Sequence, residues 1–386
     1  MEFSTLNQYI KNNEKNIIKM LVDLVKHESP STDSESLMKI CNHLKDILDE
    51  FIDSRTEIIG KREAPILHST VGDGEREILF LGHLDTVWPI GTLKNMPLKV
   101  ENNVIKGPGT FDMKAGIVQC IWSLKTLQLF NWPPNLKVHL LFTTDEETGS
   151  LYSRSVIEKF AQKCESVFVF EPSQEGENEG ALKTGRKGVG IYHIKIKGLA
   201  SHAGVNFTKG QNAALEAAHQ TVYLSSLTDL TKGTTINVGK IHSGTRANIV
   251  PDEASISVDV RFKTKHEGER IHQKILNLSA INPLCNITIT GGINRPCMEL
   301  NKQSEKLLEI AIEVGKNLGF QVKHVSTGGA SDGNFTAGLG VPTLDGLGAV
   351  GEGAHAPNER IIISKMLERI NLTTGMLYKL SLVPVM

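Results

Sequence analysis

Apolar residues recur at helical spacing near the start of the chain, at Ile17, Met20, Leu21 and Leu24 and again at Leu37, Ile40, Leu44 and Leu48. This spacing predicts two opening helices within about residues 5–53. Short apolar runs at 78–81, 138–142 and 167–170 read as strands, and the stretch 113–130 between the first two reads as a helix. Its stripe is Ile117, Cys120, Ile121, Leu124 and Leu127, with Asp112 at the expected N-cap. The alternation predicts an α/β domain.

Between about 186 and 292 the pattern changes to strand, helix, strand, strand, helix, strand, the order of a split βαβ unit. The strands fall at 189–197, 234–241, 254–263 and 286–290, with helices near 211–227 and 268–279. Ile256, Val258, Val260 and Phe262 alternate with Ser255, Ser257, Asp259 and Arg261, so one sheet face packs on helices and the other is polar. Helices near 304–318 and 364–382 restore the α/β character. The expected organisation is therefore one domain from 1–185 and 294–386, with an α+β domain at 186–293 inserted into it.

Composition narrows the function. Lys and Arg number 42 against 43 Asp and Glu, giving a formal charge of −1 and no electrostatic reason to expect a nucleic-acid or membrane-surface partner. The five cysteines form an odd set with no C-x-x-C pair, which argues against both a disulfide framework and a thiolate zinc site. Reduced thiols, no long uncharged apolar run, and an N-terminus lacking the basic and apolar regions of a secretory signal lead to the expectation of a cytoplasmic protein.

Candidate chemistry gathers at strand ends and helix starts. His83 and Asp85, in Gly82-His83-Leu84-Asp85-Thr86-Val87, share one face at the end of a strand, where a carboxylate can orient a metal-binding imidazole. Asp112 follows a glycine-rich approach, Gly107-Pro108-Gly109, although an N-cap role alone would explain it. Asp145, Glu146 and Glu147 follow the 138–142 strand, and adjacent acids repel unless solvated or met by a cation. Glu171 ends the 167–170 strand, and His355 lies in a loop before the last helix. Each has a structural explanation by itself; together they supply imidazole and carboxylate ligands suited to zinc.

In combination and order, G-H-L-D-T-V, G-P-G-x-x-D-M-K, T-x-D-E-E-x-G-S, S-H-A-G and A-H-A-P-N-E resemble the M20 family of metallopeptidases over nearly the whole chain, most closely the glutamate carboxypeptidase (carboxypeptidase G) group. The resemblance implies a zinc-exopeptidase-like catalytic domain with a mixed central sheet flanked by helices, and an inserted ferredoxin-like lid or dimerisation domain. It further implies two Zn²⁺ per subunit, with Co²⁺ or Mn²⁺ as alternatives. Asp112 would bridge them, with His83 and Glu171 on one ion and Glu147 and His355 on the other. Glu146 would be the general base, Asp85 the partner of His83, and the Asp112–Met113 peptide cis.

His202 of Ser201-His202-Ala203-Gly204 would help stabilise the oxyanion, reaching the site from the partner subunit of a homodimer formed through the inserted domain. Asn248, in Asn248-Ile249-Val250-Pro251, and Gly329, in a glycine-rich loop, would line the substrate pocket. Arg261 projects from a polar strand face and suits a substrate carboxylate, while Arg295 could meet a second acidic group. The expected reaction is hydrolysis of a peptide or N-acyl amide bond beside a free carboxylate, releasing C-terminal glutamate or a similar amino acid. An N-acyl amino-acid deacylase or dipeptidase is the nearest alternative, and a non-catalytic metal-bound scaffold is the alternative from another class.

Overall fold

Ile17, Leu21 and Leu24 are fully buried along one side of the helix Glu14–Lys26, and Leu37, Ile40, Leu44 and Leu48 do the same for Ser34–Phe51. Asp33 starts the latter, its Oδ1 accepting the Ser36 N–H at 2.9 Å. A third opening helix, Phe3–Asn12, precedes them, so the 5–53 region forms three helices where the spacing predicts two. The computed structural model describes residues 2–383, and the chain divides into two units. The first comprises the chain up to Gly185, Leu300–Thr327 and the chain from Ser331 onward; the second comprises Arg186–Glu299 with Gly328–Ala330.

The first unit is built on a six-stranded mixed sheet in the order Arg55–Lys61, Ala64–Val71, Leu136–Thr143, Arg76–His83, Ser166–Val169, Thr343–Leu344. The last four run parallel, while the hairpin at the other edge runs antiparallel. That hairpin lacks the continuous apolar run of a buried strand, because its outer member is mostly exposed. Parallel pairing brings strand ends together: His83 lies opposite Thr143, and Glu171 follows Val169 by two residues.

The helix Ala115–Leu129 buries its expected stripe, but Val118 and Trp122 on other faces are buried too. It packs against the C-terminal helix Ile363–Leu382 and is an enclosed element of the core. Among the described residues, no helix is long and apolar enough to cross a membrane.

The second unit is a four-stranded antiparallel sheet in the order Thr235–Ser243, Glu253–Phe262, Gly188–Lys197, Asn286–Arg295, with the helices Ala213–Ser226 and Lys265–Leu276. Ile256, Val258, Val260 and Phe262 are buried with Tyr192, Leu224, Ile271 and Ile275, and the alternating residues stay accessible. The last strand runs on to Arg295, paired with Val189, and Met298 bridges to Arg186. This unit therefore extends past the boundary expected at residue 293.

Candidate metal centre

Asp112 does not cap a helix. It lies in the irregular segment Thr110–Lys114 with φ −114° and ψ 96°, the Asp112–Met113 peptide is cis, and the following helix starts at Ala115 without a side-chain cap. The amides of this loop are taken by Glu359, which is fully buried. Its carboxylate accepts N–H groups from Gly109 (2.8 Å), Phe111 (2.9 Å) and Asp112 (3.0 Å), and the Trp88 indole N–H at 2.7 Å. Burial pushes the Glu359 carboxyl up to about 7 against the pull of these donors. The effect is to leave the Asp112 carboxylate free to turn toward imidazoles.

Those imidazoles approach both of its oxygens. His83 Nε2 lies 3.1 Å from Asp112 Oδ1 and 3.5 Å from Glu171 Oε1. His355 Nε2 lies 3.3 Å from Asp112 Oδ2 and 3.1 Å from Glu147 Oε2. Two groups of potential metal ligands thus share Asp112: His83, Asp112 and Glu171, and Asp112, Glu147 and His355, the ligand atoms in each lying within 4.8 Å of one another.

The electrostatics show how strongly this cluster draws positive charge. Burial lowers the His83 imidazole, but Asp112, Asp85 and Glu171 outweigh it and raise it well above its ordinary value. Hydrogen bonds to Asp112 and Glu147 raise His355 to about 10. Burial raises the Asp112 carboxyl, yet His355 and His83 hold it below the usual carboxylate range. Borderline divalent ions favour this imidazole and carboxylate donor set.

Asp85 meets His83 with both its backbone carbonyl and its carboxylate. His83 Nδ1 is nearest the backbone carbonyl of Asp85, at 2.9 Å, with the carboxylate Oδ1 at 3.4 Å. A carbonyl only accepts, so Nδ1 donates and Nε2 faces the carboxylates. The fully buried Asp85 carboxylate also accepts the Glu146 N–H (3.3 Å), the Glu147 N–H (3.2 Å) and the Ser31 hydroxyl (2.7 Å), and so fixes the turn that presents both glutamates. Asp145 turns away, accepting N–H groups from Tyr152 and Ser153 at 2.8 and 3.2 Å. Glu146 lies beside Glu147 in sequence but belongs to neither group of potential ligands.

Glu359 closes the motif A-H-A-P-N-E four residues after His355, and nothing in the spacing marks its role, because it is a buried residue between the exposed Asn358 and Arg360. Gly348, which no motif singles out, supports the site as well, its N–H reaching the Glu171 carbonyl at 2.9 Å. A Cβ there would meet the Phe170 carbonyl oxygen at 2.2 Å, so only glycine lets the two backbones approach.

The remaining candidates lie in the second unit. His202 is exposed, and its Nδ1 accepts N–H groups from Gly204 (3.1 Å) and Val205 (3.2 Å), leaving Nε2–H as a donor. The exposed Asn248 is its neighbour, its carbonyl receiving the Ala203 N–H at 3.0 Å. A hollow of about 460 Å³ beside them is lined by Ala203, Phe207, Asn212, Arg246 and Ile249. Arg261 is paired with Asp259 through two bonds of 2.8 and 2.9 Å, so its fork already holds a carboxylate. Arg295 is buried at its strand end, and the Gly329 carbonyl accepts from Arg186 at 3.3 Å.

This chain belongs to peptidase family M20/M25/M40, whose family model matches residues 79–379. It is 30% identical over 380 residues to carboxypeptidase G2 of Pseudomonas sp. (strain RS-16), covering 94% of this chain and 89% of that protein. It is 26% identical over 322 residues to succinyl-diaminopimelate desuccinylase of Hydrogenovibrio crunogenus, covering 79% and 84%. The solved structure of aminopeptidase PepT from Bacillus cereus shares the fold, with a TM-score of 0.78 at 21% identity over 95% of this chain and 98% of that one. The chain is therefore a metallopeptidase or amidohydrolase with the family's α/β fold and mixed central sheet.

Proposed function

We propose that the protein hydrolyses a peptide or N-acyl amide bond beside a free carboxylate, using two divalent ions that share Asp112. The observation carrying this reading is the pair of three-residue ligand groups with Asp112 common to both. His83 and Glu171 would hold one ion, Glu147 and His355 the other, with zinc the natural occupant and Co²⁺ or Mn²⁺ as substitutes. When bound there, such ions would supply Lewis-acid chemistry, polarising the scissile carbonyl and lowering the pKa of water toward neutrality.

Glu146 takes the proton of the attacking water and delivers it to the leaving nitrogen, a role suited to a carboxylate beside the ligands but outside them. Asp85 positions Glu146 through its backbone N–H. His202, with Nε2–H available, donates to the developing oxyanion, supplied by a second copy that docks through the inserted unit. Asn248 and the loop at Gly329 line the pocket, Arg261 grips the substrate carboxylate, and Arg295 contributes to recognition of a second acid. The likeness to carboxypeptidase G2 favours release of a C-terminal residue, for which glutamate or a similar amino acid is our choice, and the likeness to a succinyl-diaminopimelate desuccinylase favours removal of a succinyl group.

Glu146→Gln should lower kcat by about 10²- to 10⁴-fold with metal content unchanged. A panel of dipeptides and N-acyl amino acids read by mass spectrometry distinguishes the two substrate classes. Wild-type turnover by the Gln variant would remove the proposed base.

A further inference from the structure

A third group of potential ligands lies outside the centre on Asp112. Asp23 and His27 are four residues apart on one side of the helix Glu14–Lys26 and its C-terminal cap, and His43 faces them from the helix Ser34–Phe51. One ligand atom from each lies within 4.8 Å of the other two, and all three residues are half-buried. His43 Nε2 is 2.6 Å from Asp23 Oδ2, and the two imidazole rings stack with centroids 3.9 Å apart at 20°.

His27 is oriented as a ligand. Its Nδ1 lies 3.0 Å from the Asp23 backbone carbonyl, which only accepts, so Nδ1 carries the proton and the lone pair is on Nε2. Metal-bound histidines fix their tautomer in this way. The turn is anchored as well, because the His27 carbonyl receives the buried Lys114 ammonium at 2.7 Å. Two stacked rings that were both charged would repel, whereas a shared cation uses each in its neutral form.

We infer that Asp23, His27 and His43 form a separate divalent-cation site that clamps two of the opening helices together. Two imidazoles and one carboxylate select a borderline ion such as Zn²⁺, with water completing the shell. Two stacked rings cannot both aim an in-plane lone pair at one ion. Binding therefore requires His43 to swing out of the stack and its Nε2 to give up its proton and its contact with Asp23, the ion taking the place of that hydrogen bond. The site shares no residue with the Asp112 centre and does not depend on the proposed reaction.

The test compares the full chain with the double variant Asp23→Asn, His43→Phe, which keeps the size of one side chain and the aromatic surface of the other. After dialysis against the same micromolar free Zn²⁺, the variant should hold one fewer ion per chain by mass spectrometric metal analysis, with hydrolysis unchanged. Equal zinc contents would overturn the proposal. Should the variant fold poorly, zinc titration of the unsubstituted chain followed by NMR of histidine ring nitrogens decides the matter: the His27 and His43 signals move if the site is real. Signals that stay fixed to millimolar zinc would overturn it.

Discussion

The two units present most of their candidate residues in different ways, the exposed His355 of the first and the buried Arg295 of the second being exceptions. In the first, His83 and Asp85 are buried and the loops carrying Asp112, Glu147 and Glu171 are held by further hydrogen bonds through Glu359, Asp85 and Gly348. In the second, His202 and Asn248 are exposed and Arg261 is satisfied by Asp259 of its own strand. The candidate metal ligands are thus held mostly on rigid strand ends, while most of the groups proposed to meet a substrate lie at a surface. The difference predicts a hierarchy: loss from the first unit should end catalysis or metal binding, and loss from the second should weaken transition-state or substrate binding.

The largest effect should come from removing metal. Dialysis against a chelator should abolish hydrolysis, and adding back zinc should restore it; activity that persists undiminished while metal content falls would contradict a metal-dependent reaction. Next in size, His202→Ala should reduce kcat by about 10²- to 10³-fold with a small change in KM, as loss of an oxyanion donor does. An equal rise in KM alone would recast His202 as a binding residue.

Glu359→Gln should weaken metal binding by about 10- to 100-fold, because one amide nitrogen would face backbone or indole donors and loosen the Asp112 loop. Isothermal titration with zinc measures this, and unchanged affinity would restrict Glu359 to folding. The smallest effect is expected at the sheet face. Arg261→Ala should raise KM by about tenfold, some 1.4 kcal/mol, with kcat nearly constant. Asp259→Asn, which frees the guanidinium, should lower KM instead; identical KM values in both variants would remove Arg261 from substrate recognition.

Three of the four parallel strands were legible as apolar runs, two of them ending at a candidate ligand, as 78–81 does before His83 and 167–170 before Glu171, whereas the two-residue edge strand Thr343–Leu344 is too short to carry a pattern. The alternating strand through Val258 and Val260 was legible for the complementary reason, one wet face and one dry. Other features depend on partners distant in sequence. Asp112 reads as an N-cap locally, and only Glu359, 247 residues later, shows why its carboxylate is free for other work. The preference of His83 for the Asp85 carbonyl over its carboxylate and the Arg261–Asp259 pair are choices of rotamer that spacing does not encode.

The central claim is that Asp112 bridges two metal ions. Anomalous diffraction at the zinc edge, from crystals of the zinc-loaded protein, tests it directly. The account predicts two peaks flanking the Asp112 carboxylate, one also contacted by His83 and Glu171 and the other by Glu147 and His355. A single peak there, or none within coordination distance of Asp112, would contradict it.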